Sequence, residues 1–101
     1  MEFSELEQLV LKWAKDRLIF EQSNPVNQYE KLIDEVCELK DSIDNVNVFK
    51  MRDDIGDILV VLIIMSFMIG LNIETCLEFA YNEIKDRKGK MVNGIFVKDQ
   101  E

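Results

Sequence analysis

The stretch Lys31-Leu32-Ile33-Asp34-Glu35-Val36-Cys37-Glu38-Leu39 is answered, sixteen residues after its last glutamate, by Asp54-Ile55-Gly56-Asp57. Each stretch carries two carboxylates three residues apart inside an otherwise apolar, helix-like segment. On a helix, residues i and i+3 lie about 60° apart around the axis and one turn apart along it, so each pair acts together. Two such helices side by side bring four carboxylates together with little nearby cation to neutralise them. That arrangement calls for a metal ion. Leu32, Val36, Leu39 and Ile43 form the apolar stripe of the first segment. Glu35 lies about 70° from the middle of that stripe and Glu38 about 130°. Asp34 and Asp41 lie almost opposite it and read as solvated; so does Asp53, about 100° from Asp54.

The chain has 101 residues, enough for one small domain over residues 1–101. It is 48% hydrophobic and 32% charged, which argues against disorder. With one Pro and four Gly, long unbroken elements are expected rather than many short turns. The net charge of −8 repels a phosphate backbone and argues against nucleic-acid binding. It leaves room for a phosphorylated small molecule approached through divalent cations. Cys37 and Cys76 have no Cys or His at metal-ligand spacing and read as small core residues. The acidic start, Met1-Glu2-Phe3-Ser4-Glu5, does not have the form of a signal peptide. The apolar run from Ile58 to Leu71 has 14 residues, where a bilayer span needs about 20. The expectation is a cytoplasmic protein without a membrane segment.

Helical spacing predicts four helices. Ser4-Glu5-Leu6-Glu7 has the form of a capping box, followed by Leu6, Leu9, Val10, Trp13, Ala14 and Arg17 at helical spacing to about Phe20. Asn24-Pro25 is a cap followed by a first-turn proline, and the second helix runs from about Val26 to Ile43. The third begins near Val48 and is apolar all round from Ile58, which implies burial on every side. A domain this small hardly encloses such a helix, so the excess apolar surface points to an oligomer interface. Asn72 caps the fourth helix, with a stripe of Leu77, Ala80, Tyr81 and Ile84. Asn93-Gly94 between Met91-Val92 and Ile95-Phe96-Val97 signals a small hairpin.

Four carboxylates suit hard, oxygen-preferring cations, Mg²⁺ or Mn²⁺. His is absent, which excludes the Glu-x-x-His di-iron pattern and the usual zinc sites. Mg²⁺ keeps several waters and commonly meets substrate phosphates, so the implied chemistry is phosphoryl or nucleotidyl transfer to water. Either pair alone is ordinarily a solvated helix face; two pairs on facing shoulders carry the metal reading. The basic run through Lys85, Arg87, Lys88 and Lys90 also serves simply as a charged helix C-terminus. Trp13 at helical spacing is more often a core residue than a stacking platform.

The two motifs together resemble the MazG-type nucleotide pyrophosphohydrolases, whose pattern is Glu-x-x-Glu followed by Glu-x-x-Asp opening a long apolar helix. The similarity extends to Trp13-Ala14-Lys15-Asp16-Arg17 and Asn24-Pro25 upstream, and to Asn82 through Gly94 downstream. The C-terminal segment looks most like small stand-alone members of phage or Gram-positive type. The resemblance implies an all-α, four-helix MazG-like bundle with a short C-terminal β-hairpin, working as a homo-oligomer, dimer or tetramer. It implies cleavage of a nucleoside triphosphate to the monophosphate and pyrophosphate with Mg²⁺, or Mn²⁺, in nucleotide-pool house-cleaning. By that resemblance Glu35, Glu38, Asp54 and Asp57 match the catalytic metal ligands. Asn82, Lys85 and Arg87 match the phosphate- or sugar-contacting region, with Lys88 beside them. Two departures stand out. Asp54 replaces a glutamate and shortens the reach by one methylene, so that a water intervenes or the helices sit closer. Leu18 and Ile19 stand where some relatives stack the base, leaving Trp13 as the aromatic substitute.

Two other readings fit the same residues. The metal site could act on a phosphoribosyl-nucleotide or a ppGpp-type alarmone. The chain could instead be a non-catalytic helical oligomerisation module with solvated acids.

Overall fold

Three asparagines set where the long helices begin. In the computed structural model, which describes residues 1–100, Asn24 accepts a hydrogen bond from Asn27 N at 2.8 Å and starts α3 (Pro25–Asp44). Asn47 accepts from Lys50 N and starts α4 (Val48–Met68), and Asn72 accepts from Thr75 N and starts α5 (Ile73–Ile84). Each cap satisfies one of the amide donors a helix N-terminus leaves free. Ahead of them lie α1 (Phe3–Asp16) and the single turn α2 (Ile19–Gln22).

The first helix departs from expectation at both ends. Its N-cap is Glu2, without a side-chain cap, and Ser4 lies inside the helix, so no capping box forms. It stops at Asp16 rather than Phe20, because Leu18 takes a left-handed backbone (φ 62°) that no α-helix continues through. The C-terminal hairpin forms as predicted. β1 (Gly89–Val92) pairs antiparallel with β2 (Ile95–Lys98), and Asn93 (φ 51°) and Gly94 (φ 83°) make the tight turn.

The scaffold is thus all-α with a short hairpin. Its main packed unit is the α3–α4 pair, joined through Asn45, Val46 and Asn47, with α1 lying against α4. The turn after α4 redirects the chain by 97° into α5, so α5 does not run alongside the other helices. No single helix among the described residues is long and apolar enough to cross a membrane.

Packing follows the predicted stripes only in part. On α3 the buried residues are Glu35 and Ser42, while Val36 and Ile43 are each 49% exposed. With half-buried Leu32 and Leu39 counted, the face turned to α4 lies roughly 50° around the helix from the stripe's centre, and Glu35 sits on the seam rather than on its shoulder. On α1 the buried residues are Glu7 and Ala14, with Leu6, Leu9 and Trp13 half exposed. The second half of α4 buries Val61, Ile63 and Ile64 but leaves Leu59 and Phe67 open, so it is not enclosed on every side. Cys37 is exposed rather than core, and neither cysteine is in a disulfide. The radius of gyration is 16.1 Å, where a close-packed domain of this length has about 13 Å.

The Asn24 cap holds the first turn of the site-bearing helix. Asn24→Ala is expected to lower unfolding free energy by about 1 kcal/mol, read as a shifted midpoint in urea denaturation.

Candidate metal centre

Glu35 and Glu38 on α3 meet Asp57 on α4, with one carboxylate oxygen from each all within 4.8 Å of one another. Glu35 is the buried member at 5% exposure; Glu38 and Asp57 open to solvent. Glu35 Oε1 accepts from Lys31 Nζ at 2.8 Å. Among the described residues, its Oε2 is the one buried side-chain polar atom without a hydrogen-bond partner. A buried carboxylate oxygen left unpaired is costly, and a cation is the partner that this donor set suits. All three donors are carboxylate oxygens, matching Mg²⁺ or Mn²⁺.

Asp54 is placed differently. It is 2% exposed, and its oxygens are taken by Ser42 Oγ on α3 and by Lys50 Nζ at 3.0 and 3.2 Å. The Ser42 hydrogen bond and the Lys50 ammonium hold its carboxyl below the usual aspartate value, against the opposing effect of burial. Asp57 moves the other way. Partial desolvation, then repulsion from Glu35, Asp54 and Asp53, raises its carboxyl above the usual value, while Lys31 pulls it down. The hydrogen bonds to Glu35 and Asp54 raise the Lys31 and Lys50 ammonium groups respectively. As expected, Asp34 and Asp41 are solvent-exposed, and Asp53 is exposed and pairs with Arg52.

Trp13 lies beside the carboxylates. With Leu6, Leu9, Val10 and Val60 it lines an apolar cleft of about 390 Å³ whose remaining wall is Asp57. The Arg17 guanidinium stacks 4.5 Å from the indole centroid and fixes that ring's outer face. Asn82, Lys85, Arg87 and Lys88 are elsewhere. They belong to the exposed end of α5 and the segment after it, where Arg87 and Lys88 line a second, polar cleft against Lys98 and Asp99. From Asp57 to the end of α4 is about 16 Å, and α5 then runs a similar length at right angles. Within one chain, the α5 residues and the carboxylates are therefore on the order of 20 Å apart.

Sequence reasoning passed over Lys31, Ser42 and Lys50. Two of them carried a signal: each lysine stands four residues before its acid, the spacing at which helical ion pairs form. Ser42 carried none, because its hydroxyl matters only once α3 has turned it toward Asp54.

A family model described as the MazG nucleotide pyrophosphohydrolase domain matches residues 24–92, a span that includes α3, α4, α5 and all four motif carboxylates. The chain is similar to an uncharacterized 18.2 kDa protein from the rep-hol intergenic region of Haemophilus phage HP1, at 35% identity over 66 residues. The match covers 62% of this chain and 40% of that protein, so the chain spans less than half of its relative's length. No solved structure matches the chain.

The raised Asp57 carboxyl sets a sign. Stability that comes from its protonated form is fully present below the unfolded aspartate value and lost as pH rises through the higher folded value. Metal-free Asp57→Asn is therefore expected to melt above wild type at neutral pH. The gap should narrow as pH falls to about 4, in thermal melts recorded with a chelator.

Proposed function

We propose, from the premise that the chain belongs to the MazG nucleotide pyrophosphohydrolase family, that it hydrolyses nucleoside triphosphates to the monophosphate and pyrophosphate using a divalent cation. The observation that carries this reading is the buried, partnerless Oε2 of Glu35 beside Glu38 and Asp57. Glu35, Glu38 and Asp57 would hold Mg²⁺ or Mn²⁺. When bound, that ion screens the triphosphate and lowers the pKa of an attacking water. The chain's residues supply the rest. Glu38 and Asp57 are the solvent-open carboxylates, the ones a water at the site can reach. Water adds at the α-phosphorus and the bond to the bridging oxygen of the β-phosphate breaks, releasing pyrophosphate. The cleft of Trp13, Leu6 and Leu9 offers the nucleobase an apolar wall adjoining Asp57.

The reading includes a homo-oligomer. Asn82, Lys85, Arg87 and Lys88 are too far from their own chain's carboxylates for one triphosphate to touch both, so a second copy would bring them. Apolar surface supports this: Leu77 and Phe79 on α5 are 69% and 70% exposed, and no α5 residue is buried. Half-open Val36 and Ile43 on α3 add to it. Nucleotide-pool house-cleaning is the role such an activity would serve.

The test is hydrolysis of a panel of ordinary and modified nucleoside triphosphates, a phosphoribosyl-nucleotide and ppGpp with Mg²⁺ or Mn²⁺. Pyrophosphate release from triphosphates is expected. Glu38→Gln and Asp57→Asn should abolish it without loss of helical circular dichroism. Orthophosphate as the product, or turnover retained in both variants, would contradict the assignment. For the shared site, mixing Asp57→Asn chains with a Lys85→Ala/Arg87→Ala double variant should restore turnover that neither has alone. A mixture as inactive as its parts would count against it.

A further inference from the structure

We infer that Asp54 is a positioning residue that locks α3 against α4 and does not itself bind the cation; the inference rests on the metal-centre reading above. Both Asp54 oxygens are already occupied. Oδ1 accepts from Lys50 Nζ at 3.0 Å, and Oδ2 accepts from Ser42 Oγ and from Lys50 Nζ at 3.2 Å. Ser42 Oγ also lies 3.1 Å from the Glu38 carbonyl, but its single proton goes to the carboxylate, the stronger acceptor. Asp54 is 2% exposed and Ser42 1%, so the bond between them crosses the helix seam out of water's reach.

The tie sits where it governs the site. Ser42 is one turn along α3 from Glu38, and Asp54 is one turn along α4 from Asp57. Fixing the first pair fixes how far apart the second pair stands. Glu35 offers the contrast, being buried as well yet holding a free Oε2. A cation entering the seam meets that oxygen and the solvent-open oxygens of Glu38 and Asp57 first. Drawing Asp54 to the ion would break its hydrogen bonds to Ser42 and Lys50, leave the Ser42 hydroxyl only the Glu38 carbonyl of its own helix, and undo the tie across the seam. The aspartate side chain, one methylene shorter than glutamate, cannot reach both ways.

The experiment is Mn²⁺ titration of the full chain by electron paramagnetic resonance, in wild type, Ser42→Ala, Asp54→Asn and Asp57→Asn, with the spectrum of bound Mn²⁺ recorded for each. Ser42→Ala removes a tie donor and no metal ligand, so it carries the test if Asp54→Asn does not fold. Asp57→Asn is expected to lose Mn²⁺ binding across the titration. Ser42→Ala and Asp54→Asn should both weaken it by roughly 10- to 100-fold, with bound spectra that superimpose on wild type and lowered metal-free melting temperatures. Asp54→Asn losing Mn²⁺ as fully as Asp57→Asn, or showing an altered bound spectrum, would make Asp54 a ligand. Unchanged affinity in both Ser42→Ala and Asp54→Asn would remove the positioning role. Failure of wild type to bind Mn²⁺ would instead overturn the metal-centre reading itself, and this inference with it.

Discussion

Where α3 meets α4, the chain presses carboxylates into a helix seam that supplies too few partners for them. Glu35 and Asp54 are both buried on that seam, and Glu38 and Asp57 stand at its mouth. Lys50 and Ser42 satisfy Asp54; Lys31 satisfies one oxygen of Glu35 and leaves the other bare. Burying an unpaired carboxylate oxygen costs more than a pair of helices can casually absorb. Under the proposed metal reading the seam would have two conditions, a metal-free one that carries the cost and an ion-bound one that relieves it. Stability and the proposed chemistry would then depend on the same oxygen.

Much of this was legible in the residues. Asn24 and Asn72 cap the helices that their positions predict, and Asn93-Gly94 turns the hairpin. The two acid pairs marked the seam where Glu35, Glu38 and Asp57 converge, and geometry alone set the exposed Asp34, Asp41 and Asp53 aside. The failures have a common physical origin. An apolar stripe records all the burial a helix experiences, within its chain and beyond it, so its centre need not point at the helix's own neighbour. On α3 it does not: Val36 and Ile43 stay half open while Glu35 and Ser42 face α4. That turn takes Glu35 onto the seam and makes Ser42 a partner for Asp54. The break at Leu18 was hidden because leucine is a good helix former, and nothing in its side chain signals a left-handed backbone.

The same offset accounts for the chain's open form. Among the described residues, four apolar side chains are buried, Ala14, Val61, Ile63 and Ile64. The remaining stripes on α1, α3 and α5 stay partly open, with Leu9, Val36, Ile43, Leu77 and Ile84 each about half exposed or more. Under the proposed oligomer these stripes acquire a partner surface, and the right-angle departure of α5 gains a purpose in carrying Lys85 and Arg87 toward a neighbouring site. Core formation and active-site assembly would then be one event. A monomer would lack both.

The cation's role at the seam is tested most directly by thermal unfolding of wild type and Glu35→Gln, each with a chelator and with saturating Mn²⁺. Wild type should melt at a clearly higher temperature with Mn²⁺, as binding to the folded state alone requires. Glu35→Gln, which removes the buried charge and keeps its shape, should melt at or above metal-free wild type and gain nothing from the ion. A wild type indifferent to Mn²⁺, or a Glu35→Gln variant that still gains as much from it, would contradict the account.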